Sequence, residues 1–219
     1  MYRPLLKYCG NRSFADWKTV MSSSCDYVGL IFAESKRKVT SSEVKKWIEK
    51  QPVVNAKKIV GVFVNESVEN IVRVAEEVPL DVIQCHGKEP PLLLKELKTR
   101  TKKEVWKVIH HGEHSLSEMK LFHGVADGYV IDSKQKGKWG GTGISFDWSH
   151  IPSYINEASA QAVPCWIAGG VNANNIHSLL NYEPFGIDIA SGIEEKERKD
   201  ETIIRTIEKR VYNCANNVS

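Results

Sequence analysis

The sequence has no C-x-x-C pair, no apolar run near the ~18 residues that a membrane span needs, and no marked excess of either charge. Its five cysteines (Cys9, Cys25, Cys85, Cys165, Cys214) are odd in number and widely scattered. A disulfide framework or a zinc ribbon is therefore not expected, and a reducing compartment is. Lysine and arginine number 30 against 27 aspartates and glutamates, a net charge of +3. So small an excess leaves no footprint for nucleic acid, which needs clustered basic surface. The first residues, Met1-Tyr2-Arg3-Pro4, lead into a short apolar stretch with neither the h-region nor the cleavage site of a signal peptide. These absences point to a cytoplasmic protein with no membrane and no nucleic-acid partner. What is present is ordinary: 42% apolar and 26% charged residues over 219 positions, which excludes disordered and fibrous classes. One medium-sized domain over residues 1–219 is expected.

Short apolar, β-branched runs recur along the chain: Leu5–Tyr8, Tyr27–Phe32, Ile59–Val64, Val82–Cys85, Val105–Ile109, Gly128–Ile131, Cys165–Ala168 and Gly186–Ala190. Most are continuous rather than alternating, as in strands of a parallel sheet buried on both faces. Amphipathic helical stripes lie between them. Val68, Ile71, Val72 and Ala75 keep one face, as do Val44, Trp47 and Ile48, then Leu93, Leu94 and Leu97, and finally Ile203, Ile204, Ile207 and Val211. Ser13, Ser67, Ser115 and Asn172 sit where helix N-caps are wanted. Eight strand-and-helix units in so short a chain predict an α/β protein, a single-domain (β/α)8 TIM barrel. An open doubly wound sheet would usually carry a dinucleotide fingerprint after its first strand, where this chain reads Cys9-Gly10-Asn11-Arg12-Ser13. The longest interval, from Gly128 to Cys165, holds a polar glycine-dense loop, Lys134 to Gly143, of the kind that closes over a ligand.

Such barrels work at the C-terminal ends of their strands. Cys9 at the first strand end is either buried filler or a base or nucleophile, with Lys7 and a nearby helix start to lower its pKa. Asp132, directly after Tyr129-Val130-Ile131, is either a helix cap or an acid facing the mouth. Arg37 lies in a basic run and is either solvated or the fork for a carboxylate. His86 is either a turn histidine or a ligand contact. Gly169-Gly170 and Ser191-Gly192, next to helix starts after strands seven and eight, either only make tight turns or leave backbone N–H groups free for a phosphate, with Gly140-Gly141-Thr142-Gly143 adding more from the other side. His110, His111 and His114 have possible metal spacing, but nothing in sequence sets a carboxylate or cysteine beside them. A solvated face is the reading.

Taken in order, these strings resemble the phosphoribosylanthranilate isomerase family of tryptophan biosynthesis. The matching residues are Lys7-Tyr8-Cys9-Gly10, Val28-Gly29-Leu30-Ile31-Phe32, Ser35-Lys36-Arg37, Val60 to Asn65 and Gln84-Cys85-His86-Gly87. They continue with Asp132, Gly140 to Gly143, Phe146-Asp147-Trp148, Ala168-Gly169-Gly170 and Asp188-Ile189-Ala190-Ser191-Gly192-Ile193-Glu194. The resemblance implies an Amadori rearrangement that needs one acid, one base, no redox step, no cofactor and no metal. It implies Asp132 as the acid, with a pKa raised by burial, and Cys9 as the base, helped to its thiolate by amides or positive charge. Arg37, His86 and Asp188 would contact the substrate, and Gly141, Gly169, Gly170, Ala190, Ser191 and Gly192 its phosphate. The partner implied is a small phosphosugar-anthranilate, and the enzyme a monomer or homodimer. Three departures stand out: Tyr8 for an aliphatic residue, Cys85 for a leucine, which opens a route to oxidation, and Ala190 for a serine, which removes a hydroxyl near the phosphate. A related synthase of the same pathway would want lysine and glutamate at the strand ends, of which only Lys7 is present. A noncatalytic phosphosugar-binding barrel would lack the acid or the base.

Overall fold

A computed structural model describes residues 3–133 and 146–216. Strands β1 (Leu5–Tyr8), β2 (Tyr27–Ile31), β3 (Lys58–Phe63), β4 (Val82–Cys85), β5 (Glu104–His110), β6 (Gly128–Asp132), β7 (Cys165–Ile167) and β8 (Gly186–Ile189) pair in parallel, in chain order. The sheet closes on itself where Lys7 faces Asp188 and Tyr8 faces Ile189 across β1 and β8. Helices α1 (Phe14–Met21), α2 (Ser41–Lys50), α3 (Val68–Glu77), α4 (Pro91–Thr101), α5 (Ser115–Leu121), α6 (Ile151–Ala160), α7 (Ile176–Leu180) and α8 (Glu201–Asn216) follow the strands in turn. This is the closed (β/α)8 barrel that the strand spacing predicts.

The expected helix faces are the buried ones. Val44 and Trp47, Val68 and Ile71, Leu94 and Leu97, and Ile204, Ile207 and Val211 all face the core. Ser13 and Ser67 cap α1 and α3 by accepting from the amides of Asp16 and Asn70. Thr40 and Glu43 form a reciprocal capping box on α2, a pattern the sequence reading passed over. Two expected caps fall elsewhere. Ser115 is the first residue of α5 and donates to the carbonyls of His110 and Gly112. Asn172 precedes α7 by a turn and holds the loop instead, while Asn175 takes the cap position. A small hairpin, β9 (Glu194–Glu195) with β10 (Arg198–Lys199), stands outside the barrel and was not anticipated. Strands of two residues are too short to carry a hydropathy pattern.

Side chains alternate between two cores with the period of two that a strand imposes. Leu6, Tyr8, Val28, Leu30, Ile83, Val105, Tyr129, Ile131 and Ile187 pack in the shell beneath the helices. Tyr27, Val60, Val62, Val82, Trp106, Val108, Val130 and Trp166 fill the barrel interior, joined at the top by Cys9 and Ala168. The floor is aromatic: the rings of Trp106 and Trp166 lie 5.0 Å apart, and Tyr27 contacts both. The space for Trp166 exists because its neighbour on β8 is Gly186, where a Cβ would overlap the indole. Truncating a fully buried tryptophan removes its transfer energy and leaves a cavity. We expect Trp166→Ala to cost roughly 3–5 kcal/mol, read as a lower urea midpoint with an unchanged slope. A loss below about 1 kcal/mol would show that the floor repacks.

Candidate active site

The inward positions that are apolar at the floor become polar at the C-terminal strand ends. Leu5, Lys7 and Cys9 alternate inward along β1 and its end, and Asp188 and Ala190 follow Gly186 on β8. One pocket at this mouth is lined by Cys9, Arg37, Gln84, His86, Asp132, Gly169, Gly170, Asp188, Ala190 and Ser191. Cys9, Arg37, Asp132 and Asp188 are each buried to more than nine-tenths. Gly141 and the rest of the Lys134 to Gly143 loop lie outside the described residues. Gly192 follows Ser191 in a short 3-10 turn and packs so closely on Val171 and Asn172 that no side chain fits.

Gly169 and Gly170 both have left-handed backbones, with φ of +80° and +70°. Two such residues in succession are costly for anything but glycine. The carbonyl of Gly170 accepts from the side-chain amides of both Asn172 and Asn175, at 3.0 and 2.9 Å, which pins the turn. The sequence reading placed helix starts beside both glycine pairs. Instead α7 begins at Ile176, and only the three-residue turn Ser191–Ile193 follows β8. Any anion here is held by loop amides more than by a helix dipole.

Positive charge surrounds Cys9. Lys7, fully buried, pairs with Asp188 at 2.6 Å. Lys199, carried on β10, donates to the Cys9 carbonyl at 2.6 Å, the Ala190 carbonyl at 3.0 Å and Glu194 at 2.9 Å. Burial pushes the Cys9 thiol up; Lys7 and Lys199 pull it down, and Asp188 pushes it up again, with burial prevailing. The resemblance implied a base helped to its thiolate by amides or positive charge, and Lys7 and Lys199 supply positive charge here. Burial opposes the charge on Lys7, yet Asp188 and Cys9 more than offset it and its pKa lies above the ordinary value. Asp188 spends Oδ2 on Lys7, and its buried Oδ1 has no partner among the described residues.

Arg37 is not free. Its Nε and Nη2 donate to the two carboxylate oxygens of Glu194 at 2.8 and 2.6 Å. Nη1 has no protein partner among the described residues, so one edge of the guanidinium remains for a ligand. Sequence reasoning gave neither Glu194 nor Lys199 a role, because the run from Glu194 to Lys199 looks like a solvated charged loop. His110 also departs from expectation. It ends β5 facing the mouth, half-buried, with its ring 5.3 Å from that of His86 and a ligating atom within 4.8 Å of Asp132. A carboxylate therefore does stand beside it. His86 Nε2 lies 3.2 Å from Asp132 Oδ2 without the alignment of a hydrogen bond. Burial, then the neighbouring His86, push the His110 pKa down. Of the departures from the family pattern, Tyr8 and Cys85 face the helix shell, away from the pocket. Cys85 is fully buried and its thiol is pushed up by burial, which makes it inert rather than oxidation-prone.

Fold and pocket together define a class: a (β/α)8-barrel enzyme with a polar mouth built for a small anionic ligand. Residues 6–210 match the family of N-(5'-phosphoribosyl)anthranilate (PRA) isomerases. The N-(5'-phosphoribosyl)anthranilate isomerase of Geobacillus thermodenitrificans is 52% identical over 94% of this chain and 92% of its own length. The crystal structure of the Thermotoga maritima enzyme, described elsewhere as dimeric, has a TM-score of 0.83 at 28% identity over 96% of this chain and 99% of its own. An isomerase solved with reduced 1-(o-carboxyphenylamino)-1-deoxyribulose 5-phosphate has a TM-score of 0.77 at 26% identity, over 96% and 99% of the two chains. The chain belongs to the N-(5'-phosphoribosyl)anthranilate isomerase family, and is an isomerase of tryptophan biosynthesis.

Glu194 is the keystone of the charged cluster. Burial opposes its charge, but Arg37 and Lys199 hold its carboxyl down from the ordinary 4.5 to about 2. A depressed carboxyl stabilises the fold above its unfolded value and stops doing so as pH falls through its folded value. That contribution is therefore present above pH 4.5 and lost on descent towards pH 2. Glu194→Gln leaves two buried cations unpaired and should cost about 3 kcal/mol or more at neutral pH. It should also flatten the acid limb of the urea midpoint against pH. An acid limb identical to that of the wild type would show that Glu194 is not its source.

Proposed function

We propose that the chain converts N-(5-phosphoribosyl)anthranilate to 1-(2-carboxyphenylamino)-1-deoxyribulose 5-phosphate by general acid/base catalysis, with Asp132 as acid and Cys9 as base. The observation that carries this is that the two line one pocket from different strand ends, β6 and β1, with Gly169, Gly170 and Ser191 on the same rim. Asp132, in its protonated form, donates to the furanose ring oxygen as the C1–O bond breaks and the anilinic nitrogen becomes an iminium. Cys9, as thiolate, then takes the proton from C2 to give an enolamine, which tautomerises to the ketone. The thiolate has to be generated against burial, and Lys7 and Lys199 are the charges that favour it.

Gly169, Gly170, Ala190, Ser191 and Gly192 hold the phosphate, with Gly141 closing from the loop. Asp188 Oδ1 accepts from a ribose hydroxyl, a role supported by its lack of any other partner. His86 lies against Asp132 and contacts the substrate beside it. The open edge of Arg37 binds the anthranilate carboxylate, with Glu194 fixing the other edge. The ligand is thus a small phosphosugar-anthranilate, and no cofactor takes part. The enzyme is one domain over residues 1–219, a monomer or a homodimer in the cytoplasm, with neither nucleic acid nor membrane as a partner. Support for the compartment is that Cys9, Cys25, Cys85 and Cys165 are all free thiols. Among the described residues no helix is long and apolar enough to cross a membrane.

The acid and base are tested as a pair. Asp132→Asn keeps the shape but cannot donate a carboxylic proton, so ring opening becomes slow. Cys9→Ser keeps a small polar side chain but raises the pKa far above neutral, so C2 deprotonation becomes slow. Each should lower turnover of freshly generated substrate, followed by anthranilate fluorescence, by about 10²-fold or more. Deuterium at C2 should slow Cys9→Ser clearly and Asp132→Asn little, because the slow step of the latter precedes C–H cleavage. Near wild-type turnover in either variant reassigns that role.

Arg37→Ala should raise KM more than it lowers kcat, since the carboxylate it binds keeps its charge throughout. Arg37→Lys should rescue only in part, for want of the planar fork. A large fall in kcat at constant KM would place Arg37 in the chemistry instead.

A further inference from the structure

We propose that His86, His110 and Asp132 form a binding site for one borderline divalent transition-metal ion of the Zn2+ class, and that the bound ion excludes substrate from the barrel mouth. The competition rests on the functional reading above, whereas the binding does not. The three residues stand at the ends of the neighbouring strands β4, β5 and β6, and their ligating atoms all lie within 4.8 Å of one another. Donors set on strand ends are held more rigidly than donors on loops. Two imidazoles and one carboxylate suit Zn2+, Co2+ or Ni2+, while Mg2+ and Ca2+ want oxygen.

Ligand atoms on a tetrahedral ion with bonds of 2.0–2.1 Å are about 3.4 Å apart. The 3.2 Å between His86 Nε2 and Asp132 Oδ2 already matches that span.

The strongest indication is the hydrogen bonding behind His86. The Gln84 amide nitrogen lies 3.5 Å from Nδ1, while the buried Gln84 Oε1 has no partner among the described residues. Half a turn of that amide lets Oε1 accept from Nδ1–H, and satisfies both groups. In that tautomer the Nε2 lone pair faces the Asp132 carboxylate at 3.2 Å, an arrangement that a cation bound to both atoms satisfies. An oriented second partner of this kind is what ligating histidines usually have. Three protein ligands leave a fourth position open towards the pocket, where Asp132 is meant to meet the sugar. An ion here blocks the acid; it supplies nothing to a reaction that needs only proton transfers.

The test uses the whole purified protein stripped of metal. Added Co2+ should give visible d–d absorption that saturates at one equivalent, without the near-ultraviolet band of a thiolate ligand. Zn2+ should abolish that absorption, raise KM with kcat unchanged, and be fully reversed by EDTA. His110→Gln, a residue outside the proposed acid/base machinery, should keep turnover while weakening Zn2+ inhibition by at least about tenfold, the lower range for losing even an outer partner of a metal site. Absence of the one-equivalent Co2+ band overturns the site. So does a thiolate band, which would give the ion to Cys9, or equal inhibition of wild type and His110→Gln. Should His110→Gln not fold, the Co2+ and Zn2+ titrations of the wild type decide alone. Full turnover in Asp132→Asn would sink the acid assignment and leave the Co2+ result standing.

Discussion

The first and last strands meet at a seam held by buried charge, and the mouth of the barrel is built on it. Lys7 and Asp188 are register partners across β1 and β8 and pair at 2.6 Å. Just above, Lys199 gathers the carbonyls at the two strand ends, Cys9 and Ala190, onto one ammonium. Glu194 completes the arrangement by accepting from Lys199 and gripping Arg37 beyond β2. A lone buried ion costs several kcal/mol, so each of these charges depends on its own partner: Lys7 on Asp188, and Lys199 and Arg37 on Glu194. The β9–β10 hairpin is what brings Lys199 back to the seam, which explains why two such short strands persist.

That seam sets a tension at Cys9. Sealing the thiol in the barrel raises its pKa, while two ammonium groups lower it, and burial prevails. The same low dielectric that disfavours the thiolate strengthens every charge that would support it. Only groups fixed in advance can exploit this, because a mobile lysine would lose its advantage to ordering entropy. Lys7 and Lys199 are both buried and each is held by a carboxylate, Asp188 and Glu194, so their positions are fixed by the fold.

The eight strands were readable because continuous β-branched runs leave little alternative once helical stripes separate them. The candidate residues followed from position: Cys9, His86, Asp132 and Asp188 each come at or just after such a run. What escaped was set by contacts between distant parts of the chain. Glu194 and Lys199 sit in a run of six charged residues that reads as solvated, and only the hairpin turns these two inward. His110 was misjudged for a different reason. Extending the alternation of Trp106 and Val108 by one step puts it inside the barrel, but the following His111-Gly112-Glu113-His114 made the segment look like open loop. Asn172 failed as a cap because the turn after β7 runs three residues longer than the sequence suggests.

The same alternation accounts for why a dry floor and a polar mouth can share one set of strands. On β5 the inward series is Trp106, Val108, His110; around β7 it is Trp166, Ala168; on β8 it is Gly186, Asp188, Ala190. On β5 the lower inward positions supply volume and the upper one a polar group; on β8 Gly186 yields its space to the Trp166 indole and Asp188 above it carries charge. The floor is filled by Trp106, Trp166 and Tyr27, and the pocket lies above them at the strand ends, which makes it one-ended. A one-ended pocket imposes both the raised thiol of Cys9 and the need for paired cations beside it. Exchange of the upper residues could change the reaction while Trp106, Trp166 and the helix shell kept the barrel folded, which is the sense in which this fold separates stability from function.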